Sequence, residues 1–129
     1  MSDLPLSKSG RGACEVAVQA VTEAGNVIMA HFPGEKNISY KEGRSNIVTD
    51  VDLLAVEKIT SLLQYEYPDF SIMTEESADI TGDSFYTWII DPIDGTRNYA
   101  YGIPHFCVAL ALTLRDELIL GIVYDPVRE

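Results

Sequence analysis

From Arg11 to Phe32 the apolar positions Ala13, Val16, Ala17, Ala20, Val21, Ala24, Val27, Ile28 and Phe32 recur three and four residues apart. That is the spacing of one helix face, and Pro33-Gly34 stops it. EKNISYKEGRSN, residues 35–46, then reads as a short polar hairpin or loop. A second helix is expected to begin near Thr49, with Leu53, Val56, Ile59, Leu62 and Leu63 as its apolar stripe and Pro68 closing it. After it the pattern changes to strands: FSIM (70–73) leads into TEES, and FYTWII (85–90) leads into DPIDGT. FCVALALTL (106–114) and LILGIVY (118–124) are separated only by RDE, a connection short enough for antiparallel neighbours. Two helices followed by a run of strands predict an α+β domain, its two N-terminal helices packed on a largely antiparallel sheet. The domain is expected over residues 11–129, with residues 1–10 as a flexible N-terminus. No repeat, low-complexity stretch or linker interrupts it.

Composition narrows the field of partners. The 129 residues suffice for one core. Twenty acids against 9 bases give a formal charge of −11, which repels nucleic acid phosphates and anionic lipid. An anionic substrate would therefore need local help, from a metal ion or from backbone amides. No apolar run approaches the ~18 residues of a membrane span, and the opening MSDLPLSKSGRG lacks the apolar core of a signal peptide. A cytoplasmic protein is expected. Cys14 and Cys107 lie among Ala, Val and Leu, the setting of a thiol used as a small apolar filler.

The chemistry is concentrated where ordered elements end. Asp91 follows an apolar strand, Pro92 keeps it extended, and the chain is expected to turn at Asp94-Gly95. Two carboxylates with the Ile93 carbonyl between them suit a hard divalent cation, although Asp, Pro and Gly also make ordinary turns. Gly95 allows close backbone approach, and a helix could start at Thr96, offering amides to an anion. Glu75 and Glu76 also follow a strand, and strand pairing would bring Glu75 to Asp91; a solvated loop is the plainer alternative. Asp52, with Thr49, fits a capping box, and Asp50 lies in the same favourable first turn. Such an accumulation of carboxylates repels itself unless cations sit in it.

TEES followed by WIIDPIDGTRNY closely resembles the inositol monophosphatase family of magnesium-dependent, lithium-sensitive phosphatases. NIVTDVD at 46–52 resembles that family's helix-opening motif and GIPHFCVALAL its following strand, so the likeness runs from about Ala13 to Glu129. It implies the family's sugar-phosphatase fold and Mg²⁺-assisted hydrolysis of a small phosphate monoester such as inositol 1-phosphate. By the same resemblance Glu75 would bind the first metal and Asp91 would bridge two, with the Ile93 carbonyl and Asp94 completing the ligands. Thr96 paired with Asp52 would orient the attacking water, giving Asp52, Thr96 and Glu75 catalytic roles. The Gly95 and Thr96 amides would contact phosphate. Fructose 1,6-bisphosphatase and nucleotide 3′-phosphatase activities share the DPxDGT motif and remain alternatives, as does a non-catalytic metal-binding or assembly module.

The chain also departs from the family pattern. Thr74 stands where glycine is frequent and Arg97 where many members have threonine; Arg97 could touch phosphate or substrate, or be solvated. Lys41 resembles a loop lysine that, in the family, contacts the water of a further metal site. Family members are about twice as long, and their second half carries another metal-binding aspartate and most substrate contacts. The resemblance therefore implies an N-terminal half, completed by a C-terminal half or by a second copy in a homodimer.

Overall fold

The computed structural model describes residues 4–34, 38–40 and 47–128. Helix α1 spans Ala13–His31. Its inward stripe runs Ala13, Val16, Ala17, Ala20, Val21, Ala24, Gly25 and Ile28, small enough for close packing. At Gly25 a Cβ would stand 2.5 Å from the Tyr124 ring, so the helix rests directly on the end of the last strand.

Short strands β1 (Ile38–Tyr40) and β2 (Ile47–Thr49) pair antiparallel with Ile38 opposite Thr49, the hairpin option of the sequence reading. Lys41 lies outside the described residues. Helix α2 (Asp50–Glu66) starts at the expected capping box: Thr49 and Asp52 exchange side-chain and backbone hydrogen bonds. Of its expected stripe, Val56, Ile59 and Leu63 are buried and Leu62 packs partly buried against the core, whereas Leu53 is not part of it. Leu53 is 48 % exposed, and the inward positions are Val51, Asp52, Ala55, Val56, Ile59, Leu63 and Glu66. A polar residue, Asp52, takes the inward place that hydrophobicity alone assigned to its neighbour.

The main sheet has the order β3-β4-β5-β6, with β3 (Ser71–Thr74), β4 (Tyr86–Asp94), β5 (Cys107–Leu114) and β6 (Glu117–Tyr124). It is antiparallel except for β3, which runs parallel to β4. That exception has a local cause: residues 75–85 return the chain to the same end of the sheet, and on the way Ile80 exchanges backbone hydrogen bonds with Ile72. The β5–β6 hairpin turns through Arg115 (φ 52°) and Asp116 (φ 71°), the two left-handed residues of a tight hairpin.

Both helices cover one sheet face. Trp88, Ile90, Val108, Leu110 and Leu112 are buried there with Ile59 and Leu63 of α2. Trp88 is ringed by Tyr67 and Phe70. On the other face Met73, Ile89 and Val123 are 46, 39 and 70 % exposed.

Residues 4–10, read from sequence as part of a flexible N-terminus, are placed against the end of α2. Ser9 donates to Glu66 (2.6 Å), Arg11 pairs with the same carboxylate (3.3 Å), and Tyr67 donates to the Pro5 carbonyl (2.8 Å). Cys14 is exposed on α1, so it is not the apolar filler expected; Cys107 is half-buried. The alternation of α1 excludes Cys14 from the core, because Ala13, Val16 and Ala17 already occupy the inward positions. Among the described residues no helix is long and apolar enough to cross a membrane.

Candidate active site

Two residues three apart on a regular strand point to opposite faces. Asp91 and Asp94 do not. Strand β4 runs on through the DPID segment, past the end expected at Ile90, and its register against β5 shifts between Asp91 and Asp94. Pro92 and Ile93 are both buried in between, and both aspartates are exposed. The bulge thus adds the one residue of offset that returns Asp94 to the face of Asp91.

The parallel pairing of β3 and β4, with Thr74 opposite Ile90, then ends both strands side by side. It carries Glu75 and Asp91 to the same edge, as strand pairing was expected to do. An open cleft of about 640 Å³ lies there. Its lining combines the acids Glu75, Glu76, Asp79, Asp91 and Asp94 with the apolar Met73, Ile89 and Ile93 and with Gly95, Thr96 and Arg97.

At Gly95 the backbone takes φ 102°, a left-handed value that glycine tolerates. A Cβ there would stand 3.0 Å from the His105 carbonyl. Helix α3 (Thr96–Ala100) follows at once, starting where the sequence suggested. It is seated by Tyr99, fully buried, whose hydroxyl donates to the Ile28 carbonyl of α1 (2.8 Å) and whose ring meets Phe106 edge-on.

Asp52 reaches the cleft from beneath. It is 1 % exposed. One carboxylate oxygen accepts from the Thr49 amide (2.8 Å), and the other lies 3.4 Å from the Thr96 hydroxyl. Thr96 Oγ1 is also 2.8 Å from the Ile93 carbonyl. Its single proton serves one acceptor at a time, so Thr96 can switch between the strand carbonyl and the acid.

Burial pushes the Asp52 carboxyl up to about 7, helped by the negative charge of Glu76 and opposed by the hydrogen bonds from Thr49 and Thr96. The capping acid is therefore also a group poised to exchange a proton near neutral pH. Cys107 stands opposite Asp94 in the ladder, with Sγ 3.8 Å from a carboxylate oxygen. Burial and that acid raise its thiol pKa.

Of the residues singled out from sequence, Glu75, Asp91, Ile93, Asp94, Gly95 and Thr96 all line the cleft, and Asp52 touches it through Thr96. Among the described residues no three His, Cys, Asp or Glu side chains gather closely enough to enclose a metal ion. The acids instead stand around an open cleft, with Glu75, Asp91 and Asp94 exposed. Their chemistry fits a hard cation, since the available donors are carboxylate and carbonyl oxygens. The sequence reading missed Asp79 and the apolar lining residues Met73 and Ile89. No periodicity marked Asp79, whose place depends on how residues 75–85 fold back.

The model of the inositol monophosphatase family matches residues 12–129. This chain belongs to that family. The Nus factor SuhB of Haemophilus influenzae is 42 % identical over 115 residues, 88 % of this chain and 43 % of that protein. Among solved structures, the extragenic suppressor protein SuhB of Bartonella henselae superposes with a TM-score of 0.85 at 33 % identity, covering 89 % of this chain and 45 % of that one. The IMPase of Thermotoga maritima gives 0.81 at 34 % identity, covering 89 % and 44 %. The chain thus spans less than half the length of these relatives.

Proposed function

We propose that this chain carries the cation- and phosphate-binding half of a Mg²⁺-dependent phosphatase acting on a small phosphate monoester, inositol 1-phosphate being the first choice. The observation that carries the proposal is the Thr96 hydroxyl, set between the buried Asp52 and the Ile93 carbonyl at the edge of an acidic cleft. Glu75, Asp91, Asp94 and the Ile93 carbonyl would hold Mg²⁺. When bound, the metal supplies charge neutralisation for the phosphate and activation of water.

The remaining roles belong to the chain itself. Gly95 and Thr96 offer backbone amides to phosphate oxygens. Thr96 holds the water in line with phosphorus by accepting one of its protons. Asp52, with its carboxyl near 7, takes the proton that Thr96 relays. Fructose 1,6-bisphosphate and nucleotide 3′-phosphates are the alternative substrates at the same site. A second reading, a metal-binding or assembly module without turnover, is favoured by the exposed apolar face of Met73, Ile89 and Val123.

Phosphate release from inositol 1-phosphate, with and without Mg²⁺, tests the proposal when run beside calorimetric Mg²⁺ binding. Asp94→Asn is expected to lower the Mg²⁺-dependent rate by at least about 100-fold, since the loss of an outer-shell partner alone already costs up to about that much. Mg²⁺ binding weakened by the substitution, without turnover in either protein, would support the second reading. Neither turnover nor binding would overturn both.

A further inference from the structure

We infer that Asn98 is a positioning residue for the cation site: its side-chain amide fixes the chain returning from α3 and, through it, the Gly95 turn that aims Asp94. The inference rests on the reading above, in which Asp94 holds Mg²⁺, and adds to it a residue outside the cleft lining.

The starting point is the bulge that turns Asp94 to the face of Asp91. The ladder between β4 and β5 shifts after the Asp91–Ala109 pair and is taken up again at Asp94–Cys107, where β5 begins. Just before that pair, residues 101–106 belong to no helix or strand. They nonetheless lie against the turn. A Cβ on Gly95 would stand 3.0 Å from the His105 carbonyl oxygen and 3.3 Å from the Phe106 Cα. The direction of the His105–Phe106 peptide therefore limits where the backbone next to Asp94 can lie.

Asn98 sets that direction. Its Nδ2 donates to the His105 carbonyl (2.9 Å), the same oxygen that faces Gly95, and its own backbone carbonyl accepts from the Ile103 amide (2.8 Å). One residue thus holds the returning chain at two points. Any residue could make the backbone bond, whereas the side-chain bond needs a donor on a short arm. Phe106 anchors the next position by its ring, buried against Phe32 and Tyr99. A ring does not fix which way the preceding peptide points.

Without the Asn98 donor the His105 carbonyl can rotate towards water, and the Gly95 turn loses the surface it rests on. Asp94 then keeps its place in the bulge but not its direction. Ligand oxygens must converge within about 0.5 Å to act together, so a small rotation costs more in cation affinity than in stability.

Calorimetric titration of Mg²⁺ into the wild type and Asn98→Ala tests this. The variant is expected to bind Mg²⁺ about tenfold more weakly, the lower end for a lost supporting contact around a metal. With a chelator present instead, amide hydrogen exchange is expected to quicken at residues 94–96 as well as 102–106, and to stay the same at the centres of β4 and β5. A residue that served the fold alone would lower the urea midpoint and leave the Mg²⁺ affinity of the folded protein as it was. Unchanged affinity therefore overturns the inference, and so does faster exchange confined to residues 102–106. An absence of Mg²⁺ binding in the wild type overturns the cation reading and this inference with it, whereas equal binding by the two proteins overturns the inference alone. If Asn98→Ala does not fold, Gly102→Ala disturbs the same segment from within, because a side chain is strained at φ 78°; it is judged by the same two criteria.

Discussion

Asp52→Asn should make the protein more stable at pH 8 and at least about 100-fold slower at releasing phosphate, the range expected when a positioned proton acceptor is lost. The stability gain follows from burial. The folded state holds the Asp52 proton up to about pH 7, against 3.8 for an ordinary aspartate. Between those values the folded protein binds more protons than the unfolded one, so stability falls as pH rises through the window and levels off above it. At ~1.4 kcal/mol per pH unit the carboxylate costs a few kcal/mol at pH 8. Asparagine carries no charge and can still accept from the Thr49 amide, which keeps the cap. Urea denaturation of both proteins with a chelator present, from pH 4 to 8, checks this. The advantage of the variant should be largest at pH 8 and shrink towards pH 4. A gap that does not change with pH would show that burial of the charge is not its origin.

Tyr99→Ala is expected to cost about 3–5 kcal/mol, the usual loss for a large aromatic removed from a core. That is a large share of the 5–15 kcal/mol typical of a folded domain. Tyr99 is fully buried between α3 and α1, against Phe106 and with its hydroxyl on the Ile28 carbonyl. It ties the short helix that begins at Thr96 to the longest helix of the fold. Tyr99→Phe keeps the ring and removes the donor, and should cost about 1 kcal/mol, with more if the Ile28 carbonyl is left without a replacement. Equilibrium urea unfolding of the two variants separates the parts. A Tyr99→Ala loss below that of Tyr99→Phe would mean that the ring does not hold α3 in place.

Both effects depend on neighbours far apart in the chain, and that marks how far the sequence could be read. Helix α1 was legible throughout, because its Ala and Val positions keep a helical period from Ala13 to Ile28. The capping box at Thr49 and Asp52 was legible because its contacts are local. The stripe of α2 was legible from Val56 to Leu63 but not at its start: hydrophobicity favours Leu53, whereas the fold turns Asp52 inward and leaves Leu53 at the surface. Cys14 fails for the same reason, since apolar neighbours in sequence do not say which side of a helix a residue occupies.

By itself the sequence determined the main helices and strands, the α+β class and the acids Asp52, Glu75, Asp91 and Asp94, though not Asp79, since periodicity, caps and turn residues act over a few positions and DPIDGT is a contiguous motif. Only the tertiary structure decided how those acids meet. A bulge in β4 brings Asp91 and Asp94 to one face. The parallel pairing of β3 sets Glu75 beside them. The burial that lifts Asp52 to about 7 exists only once α2 lies under the cleft and Thr96 stands above it. Spacing along a chain fixes local geometry, but desolvation and the fields of distant charges arise only when separate elements pack.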